Sequence, residues 1–176
     1  MKIGIISDTH KKIGRAKKAI DLLLQEGAEY IIHAGDIVKK EVLDYLEEKQ
    51  IVYLAVYGNN DMALYQYHNQ YNLVQEPYYF KIKDYTFKLM HHPYYMTKDT
   101  DVLIYGHTHI FHSQVYDDTI LVNSGEACAR DFPRSKVAIL EIKDEQFIVN
   151  SFSREIKSEN WKKTVFKYQN RTGKKI

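Results

Sequence analysis

"KIGIISDTH", residues 2 to 10, decides how the rest of the chain is read. Lys2 to Ser7 is a short, branched apolar run stopped by Asp8, and it reads as a buried strand. Beyond it Ile13, Ala16, Ile20 and Leu23 recur every three or four residues, with Lys17, Lys18 and Asp21 between them and Gly27 after them. That spacing predicts an amphipathic helix closed by glycine. "EYIIHAGD" (residues 29–36) repeats the plan, with a strand at Tyr30 to His33 and a polar turn. Val38, Val42, Tyr45 and Leu46 then outline a second helix, and "IVYLAVYGNND" (residues 51–61) is a third strand running into a turn. Three strands joined by helical crossovers imply a parallel βαβαβ unit.

The pattern changes after Asp61. Ala63 to Val74, rich in Tyr and Gln, reads as either a helix or a long loop. Thereafter short strand-like pieces follow: "YYFKIK", "YTFKLMH", "DVLIYG", "FHSQVY", "TILVNSG", "KVAILEI" and "QFIVNSF". Lys83-Asp84, Asp117-Asp118 and Lys143-Asp144-Glu145 separate them as hairpin turns would. Both strand sets are buried if two sheets pack face to face with helices outside. The expected fold is therefore α/β, a four-layer α-β-β-α sandwich of two mixed sheets. The expected boundaries are a single domain over 1–153 and a basic C-terminal tail over 154–176.

Composition narrows the class. At 176 residues, 44% hydrophobic and 27% charged, with 3 Pro and 8 Gly, the chain is neither disordered nor collagen-like. No apolar run is long enough to span a membrane, and the first ten residues turn charged too early for a signal peptide. A cytoplasmic location is expected. The lone Cys128 gives no cysteine-based zinc pattern and suits a small buried position. The net charge of +2 is uneven: residues 154–176 hold eight Lys or Arg against two Glu, a net +6, and the remainder is net −4. A mildly acidic body is not the uniformly basic face of a dedicated nucleic-acid binder.

In an open α/β sheet, ligands bind beyond the carboxyl ends of the strands. Those ends are informative here. They carry Asp8-Thr9-His10, Gly35-Asp36, Gly58-Asn59-Asn60-Asp61, His91-His92, His107-Thr108-His109 and Asn123 to Glu126. Each group has an ordinary alternative: Asp8 and Asp36 as helix caps, Asn59 and Asn60 as turn formers, the histidines as solvated side chains. Capping, however, does not require histidines on later strands. Oxygen and imidazole donors meeting at one edge describe a metal site, and about seven are too many for one ion.

The ordered set D-x-H, G-D, G-N-x-D, H, G-H-x-H resembles the calcineurin-like metallophosphoesterases, in particular their small capless bacterial and archaeal phosphodiesterase branch, over about Met1 to Ile142. The resemblance implies that Asp8, His10 and His109 hold a first divalent cation, that Asn59, His91 and His107 hold a second, and that Asp36 bridges them. It implies manganese, with nickel, iron, zinc or magnesium as alternatives. The implied reaction is hydrolysis of small phosphodiesters by in-line attack of a hydroxide held between the cations. A bridge needs an anion with two oxygens to share, which suits Asp36. Asn59 offers a carbonyl to the metal and an NH₂ to substrate.

The sequence departs from the family where many relatives carry "GNH", for here the last residue is Asn60. An amide is no practical general acid, so His92 is the candidate to protonate the leaving group, and Asn60 and His92 join Asn59 as substrate-binding candidates. Asn60 and Asp61 are further catalytic candidates, Asp61 through orienting the centre, and His33 is expected to lie behind Asp36. Arginine is missing after G-D, where Lys39 and Lys40 stand, which argues against a phosphoprotein phosphatase. Ser124 replaces the family's usual proline, and Glu126 and Arg134 are expected at the rim. Tyr65, Tyr67, Tyr71, Tyr94 and Tyr95 suit sheet faces and core better than base stacking. The implied partners are a small diester and further copies of the chain, with no membrane; nucleic acid is possible but not favoured. The rivals are a nuclease that uses the basic tail, and a protein-binding module like the retromer subunit that shares this fold.

Overall fold

The computed structural model describes residues 1–175. Strands β1 (Lys2–Ile6), β2 (Tyr30–His33) and β3 (Val52–Val56) run parallel, joined by helices α1 (Ile13–Gln25) and α2 (Lys40–Glu48). In β1, Ile3 and Ile5 face one apolar layer and Ile6 faces the other, which is why the run is apolar on both parities. Helix α1 buries Ala16, Ala19, Ile20, Leu22 and Leu23, the stripe its spacing predicts. The ambiguous Ala63 to Val74 stretch becomes a 3-10 turn over Met62–Tyr67, then β4 (Leu73–Val74) parallel to β3.

The remaining strands are β5 (Tyr78–Ile82), β6 (Tyr85–Leu89), β7 (Val102–Ile104), β8 (Phe111–Tyr116), β9 (Thr119–Ser124), β10 (Arg134–Ile142), β11 (Gln146–Glu155) and β12 (Lys162–Gln169). They complete two mixed sheets. One has the order β12-β11-β10-β1-β2-β3-β4 and the other β5-β6-β7-β9-β8. The sheets pack through Ile3, Ile5, Phe87, Leu89, Ile104, Val122, Leu140 and Val149, while Ile20, Leu23, Leu43 and Leu46 pack the helices onto the seven-stranded sheet.

Two features refine the expected layers and boundary. On the outer face of the five-stranded sheet, Met96 of an irregular segment packs against Met90, Leu103 and Tyr105, in place of a flanking helix. Lys88, fully buried, holds that segment: its Nζ donates to the carbonyls of Tyr95 (3.2 Å) and Thr97 (2.8 Å) and pairs with Asp99. An ammonium can be buried there because the polar chain closes over it. The basic segment expected as a tail is instead built into the sheet. β11 runs through Arg154, and β12 pairs antiparallel along it from Lys162 to Gln169. Phe166 of β12 meets Phe111 of β8 (5.2 Å between rings), and the Tyr168 hydroxyl donates to the Ser113 carbonyl (2.7 Å), so the strand ties the edges of both sheets together.

Phe87 lies between the sheets, fully buried and stacked 5.0 Å from Phe80. Phe87→Ala is expected to lower unfolding free energy by about 3–5 kcal/mol, read from the midpoint of chemical denaturation.

Candidate metal centre

Register delivers the polar residues to one place. Ile6, His33 and Ala55 stand side by side in β1, β2 and β3, and Leu89, Ile104 and Val122 in β6, β7 and β9. Each strand therefore ends level with its neighbours, and the next few residues share an edge. The chain after β9 then crosses to the other sheet, where the amides of Ala127 and Cys128 donate to the carbonyls of Ser7 (3.0 Å) and Asp8 (3.1 Å). Both sheets thus supply this edge.

The backbone there is unusual. Asp8, His10, Asp36, His107 and His109 all adopt positive φ, between 44° and 66°. Each such residue carries strain on the order of 1 kcal/mol or more, which persists only where the surroundings enforce it. Capping does not account for it: α1 and α2 begin after Lys12 and Lys39 with no side-chain cap at all. Two glycines make the close approach possible. A Cβ on Gly58 would lie 2.3 Å from the Asp36 amide nitrogen, and one on Gly106 would lie 2.2 Å from Ser7 Oγ, on the opposite sheet.

Asp8, His10 and His109 present donor atoms within 4.8 Å of one another. His109 Nδ1 faces Glu126 Oε2 (3.0 Å) and Asp131 Oδ2 (2.9 Å), so the proton belongs on Nδ1 and the lone pair on Nε2. That nitrogen points at Asp8 Oδ1, 3.2 Å away, a fully buried carboxylate oxygen with no other hydrogen-bond partner among the described residues. Two buried acceptors face each other, with Arg130 Nη2 reaching only the histidine nitrogen (3.4 Å), and the pair calls for positive charge between them. The Asp8 carboxylate, with Asp131 and Glu126 adding to it, accordingly raises the His109 pKa against the effect of burial. Burial foremost, and the nearby Arg130 guanidinium, lower that of His10, keeping its ring neutral and able to ligate.

The second group repeats the arrangement. His91 Nδ1 donates to the Ala34 carbonyl (2.8 Å), which leaves its Nε2 lone pair 3.1 Å from Asn59 Oδ1 and 3.3 Å from His107 Nδ1. Asp36 lies between the groups. Its Oδ2 is 3.6 Å from His10 Nε2 and its Oδ1 is 3.6 Å from His91 Nε2, so one carboxylate addresses both. Carboxylate, amide and imidazole donors in two overlapping sets fit a pair of divalent cations.

The other candidates divide. Asn60 donates to Asp36 through its backbone amide (2.9 Å to Oδ1) and its side chain (2.7 Å to Oδ2), fixing the carboxylate that would bridge. Asp61 was a candidate for catalysis as well as for orientation. It is fully buried and accepts the amides of Val38 (2.6 Å) and Gly58 (2.7 Å), bracing one turn against the next. His92 stands beside His91 and His107, with nitrogens within 4.8 Å of theirs, and stacks on Tyr94 at 4.9 Å. His33 bonds Thr9 Oγ1 (3.1 Å) behind the centre. Lys40 is paired with Asp44 (2.6 Å) along its own helix.

Two carboxylates matter more than their sequence setting reveals. Glu126, expected at the rim, is fully buried and accepts the amides of Arg130 (2.9 Å), Asp131 (2.9 Å) and Phe132 (2.7 Å) while orienting His109. Such carboxylate–histidine pairs set the ring angle of metal ligands. Cys128 is buried as expected and donates its thiol to Glu126 Oε2 (3.1 Å); burial, then Glu126, pushes its pKa up to about 12. Glu76, which no motif marked, accepts both amides of His91 and His92 (2.6 and 2.8 Å) on one oxygen and faces His92 Nδ1 (2.6 Å) with the other.

Burial depresses the His33 pKa to about 3, with an unsatisfied Nδ1. Between that value and the unfolded value near 6.5 the unfolded chain binds the extra proton, so stability falls as pH drops through this window, with a limiting slope of about 1.4 kcal/mol per pH unit. His33→Gln is expected to flatten that slope between pH 6 and 4.5 in urea titrations of the metal-free protein. An unchanged slope would place the burden on other groups.

Comparison with known proteins agrees with this geometry. Residues 1–145 match the calcineurin-like phosphoesterase superfamily domain. A phosphodiesterase of Methanocaldococcus jannaschii is 31% identical over 160 residues, covering 84% of this chain and 96% of its own. A probable metallophosphoesterase of Methanothermobacter thermautotrophicus is 30% identical over 161 residues, covering 83% and 88%. A solved archaeal phosphodiesterase superposes with a TM-score of 0.70 at 28% identity, covering 94% of this chain and all of the other. Vacuolar protein sorting 29 of Cryptosporidium parvum superposes with a TM-score of 0.75 at 16% identity, covering 96% and 97%, a likeness of fold alone. The chain belongs to the calcineurin-like phosphoesterase superfamily.

Proposed function

We propose that the chain is a dinuclear metal-dependent phosphodiesterase acting on small phosphodiesters in the cytoplasm. The observation that carries this reading is the facing of buried acceptors, Asp8 Oδ1 against His109 Nε2 and His91 Nε2 against Asn59 Oδ1, on either side of Asp36. Asp8, His10, Asp36 and His109 would hold one cation, and Asp36, Asn59, His91 and His107 the other. Bound there, such a pair supplies an acidified water and neutralises charge on the phosphate. Manganese suits this donor set, with nickel, iron, zinc or magnesium as alternatives.

The protein's own groups do the rest. Asn60 keeps the Asp36 carboxylate turned so that each oxygen addresses one group of ligands. Where many relatives place a histidine, this amide cannot deliver a proton. His92 is the nearby group that can. Glu76 takes its Nδ1, leaving Nε2 as the nitrogen available to a leaving oxygen. Likeness to the phosphodiesterase of Methanocaldococcus jannaschii supports diesters over monoesters. The protein-binding reading draws only on fold likeness at 16% identity, whereas every candidate ligand position is filled here. The nuclease reading relied on a basic tail, and the middle of that segment is strand β12, where Lys163 is paired with Glu26 (3.0 Å).

The test is a panel of metals against bis(p-nitrophenyl) phosphate and 2′,3′-cyclic nucleotides. Chelation should abolish turnover and manganese should restore it best. Asp36→Asn should lower kcat/KM by about a hundredfold or more and halve the bound metal. Full activity after exhaustive chelation would overturn the reading. A metal-free, inert protein that captured a protein partner would favour the scaffold.

His92→Ala is expected to slow an alkyl diester about a hundredfold or more, with a smaller effect on the p-nitrophenyl diester, whose leaving group needs no proton. Equal losses on both substrates would remove His92 from the acid role.

A further inference from the structure

Beside the centre lies a cavity of about 560 Å³ lined by His10, Lys11, Lys12, Val38, Asn60, Cys128 and Arg130. Its charge is one-sided. Three of the lining residues are cationic and none is a carboxylate. Lys11 and Lys12 are exposed and form no ion pair among the described residues. Val38 and Cys128 contribute apolar lining, and the volume has room for a nucleoside-sized group.

Arg130 is the cation closest to the chemistry. Its Nη1 is 3.2 Å from His10 Nε2 and its Nη2 is 3.4 Å from His109 Nε2, the nitrogens that would face a first cation, while its Nε holds Asp131 (3.0 Å). The loop that carries it is firmly held: Glu126 accepts three successive amides from Arg130 to Phe132, and Arg15 of α1 donates to the carbonyls of Cys128 and Ala129. A guanidinium on a braced loop, beside the candidate centre and lining one cavity with two ammonium groups that form no ion pair among the described residues, is placed to take an anion.

We propose that Arg130, Lys11 and Lys12 form a subsite for a second phosphate on the substrate, so that the preferred diesters carry a further phosphate on the group that enters this cavity. The proposal rests on the phosphodiesterase reading above and names its substrate class. A guanidinium and a divalent cation repel when they share the His10–His109 side of the centre, and an anionic oxygen between them relieves that repulsion. A substrate with one charged diester satisfies the metals alone; a second phosphate also satisfies the three cations.

Two measurements test this. The first is kcat/KM with manganese for thymidylyl-thymidine against its 5′-phosphorylated and 3′-phosphorylated forms. One phosphorylated form should be preferred by about tenfold or more, the scale of charge-assisted hydrogen bonds. Arg130→Met, and separately the double variant Lys11→Ala with Lys12→Ala, should bring the ratio toward one. Lys162→Ala with Lys163→Ala, on the far edge strand, should preserve it as a control for net charge. The second is calorimetric binding of thymidine 3′,5′-bisphosphate against thymidine 5′-phosphate, which needs no turnover. The same variants should erase the bisphosphate's advantage. Diester hydrolysis with no preference for either phosphorylated form, or a preference that survives both variants, overturns the subsite and leaves the phosphodiesterase reading standing. An inert protein whose bisphosphate binding still depends on Arg130 supports the subsite and overturns the catalytic reading.

Discussion

The structure turns on acceptors held against acceptors. Hydrogen bonds made behind the centre, from His109 Nδ1 to Glu126 and from His91 Nδ1 to Ala34, commit the rear nitrogen of each ring as donor and aim the front nitrogen at an oxygen. A buried carboxylate oxygen with no donor, such as Asp8 Oδ1, is expensive in a folded protein unless a cation or proton answers it. Left-handed backbone at five candidate ligand positions and the glycines that let turns touch both serve to hold that arrangement. Fold and site are thus one problem: the parallel strands end in register so that these atoms can meet.

Much of this was legible in the sequence because its signals are local. The apolar runs ending in Asp8, Asp36 and Asn59 state both the strand and its polar terminus, and the helical stripe of Ile13 to Leu23 has the right period. The ordered histidines carried the family, and the structure brings all seven candidate ligands to one edge. What was not legible depends on contacts between distant segments. Glu76 sits in a stretch with no motif, and only the tertiary fold brings its carboxylate under His91 and His92. Glu126 looked like a rim residue since nothing nearby in sequence announces that three following amides fold back onto it. Arg130 had no local pattern either.

The errors at the C-terminus have a similar cause. Residues 162–169 are mostly exposed and cation-rich, so their composition resembles that of a solvated tail. Edge strands of soluble proteins use just such residues to discourage unwanted pairing, and β12 adds Phe166 and Tyr168 on the side that meets β8. The missing outer helix has a parallel explanation. Lys88 alternates with core residues in β6, and its buried ammonium calls for carbonyl groups, which an irregular chain supplies and the apolar face of a helix would not.

The division of donors between the sheets has one more consequence. Asp8, His10, Asp36 and Asn59 follow strands of the seven-stranded sheet, whereas all three of His91, His107 and His109 follow strands of the five-stranded one. The spacing of the cage is therefore set by how closely two greasy surfaces mesh well away from it. Small changes in that apolar filling, even a methyl group gained or lost, would shift one set of donors against the other without touching either.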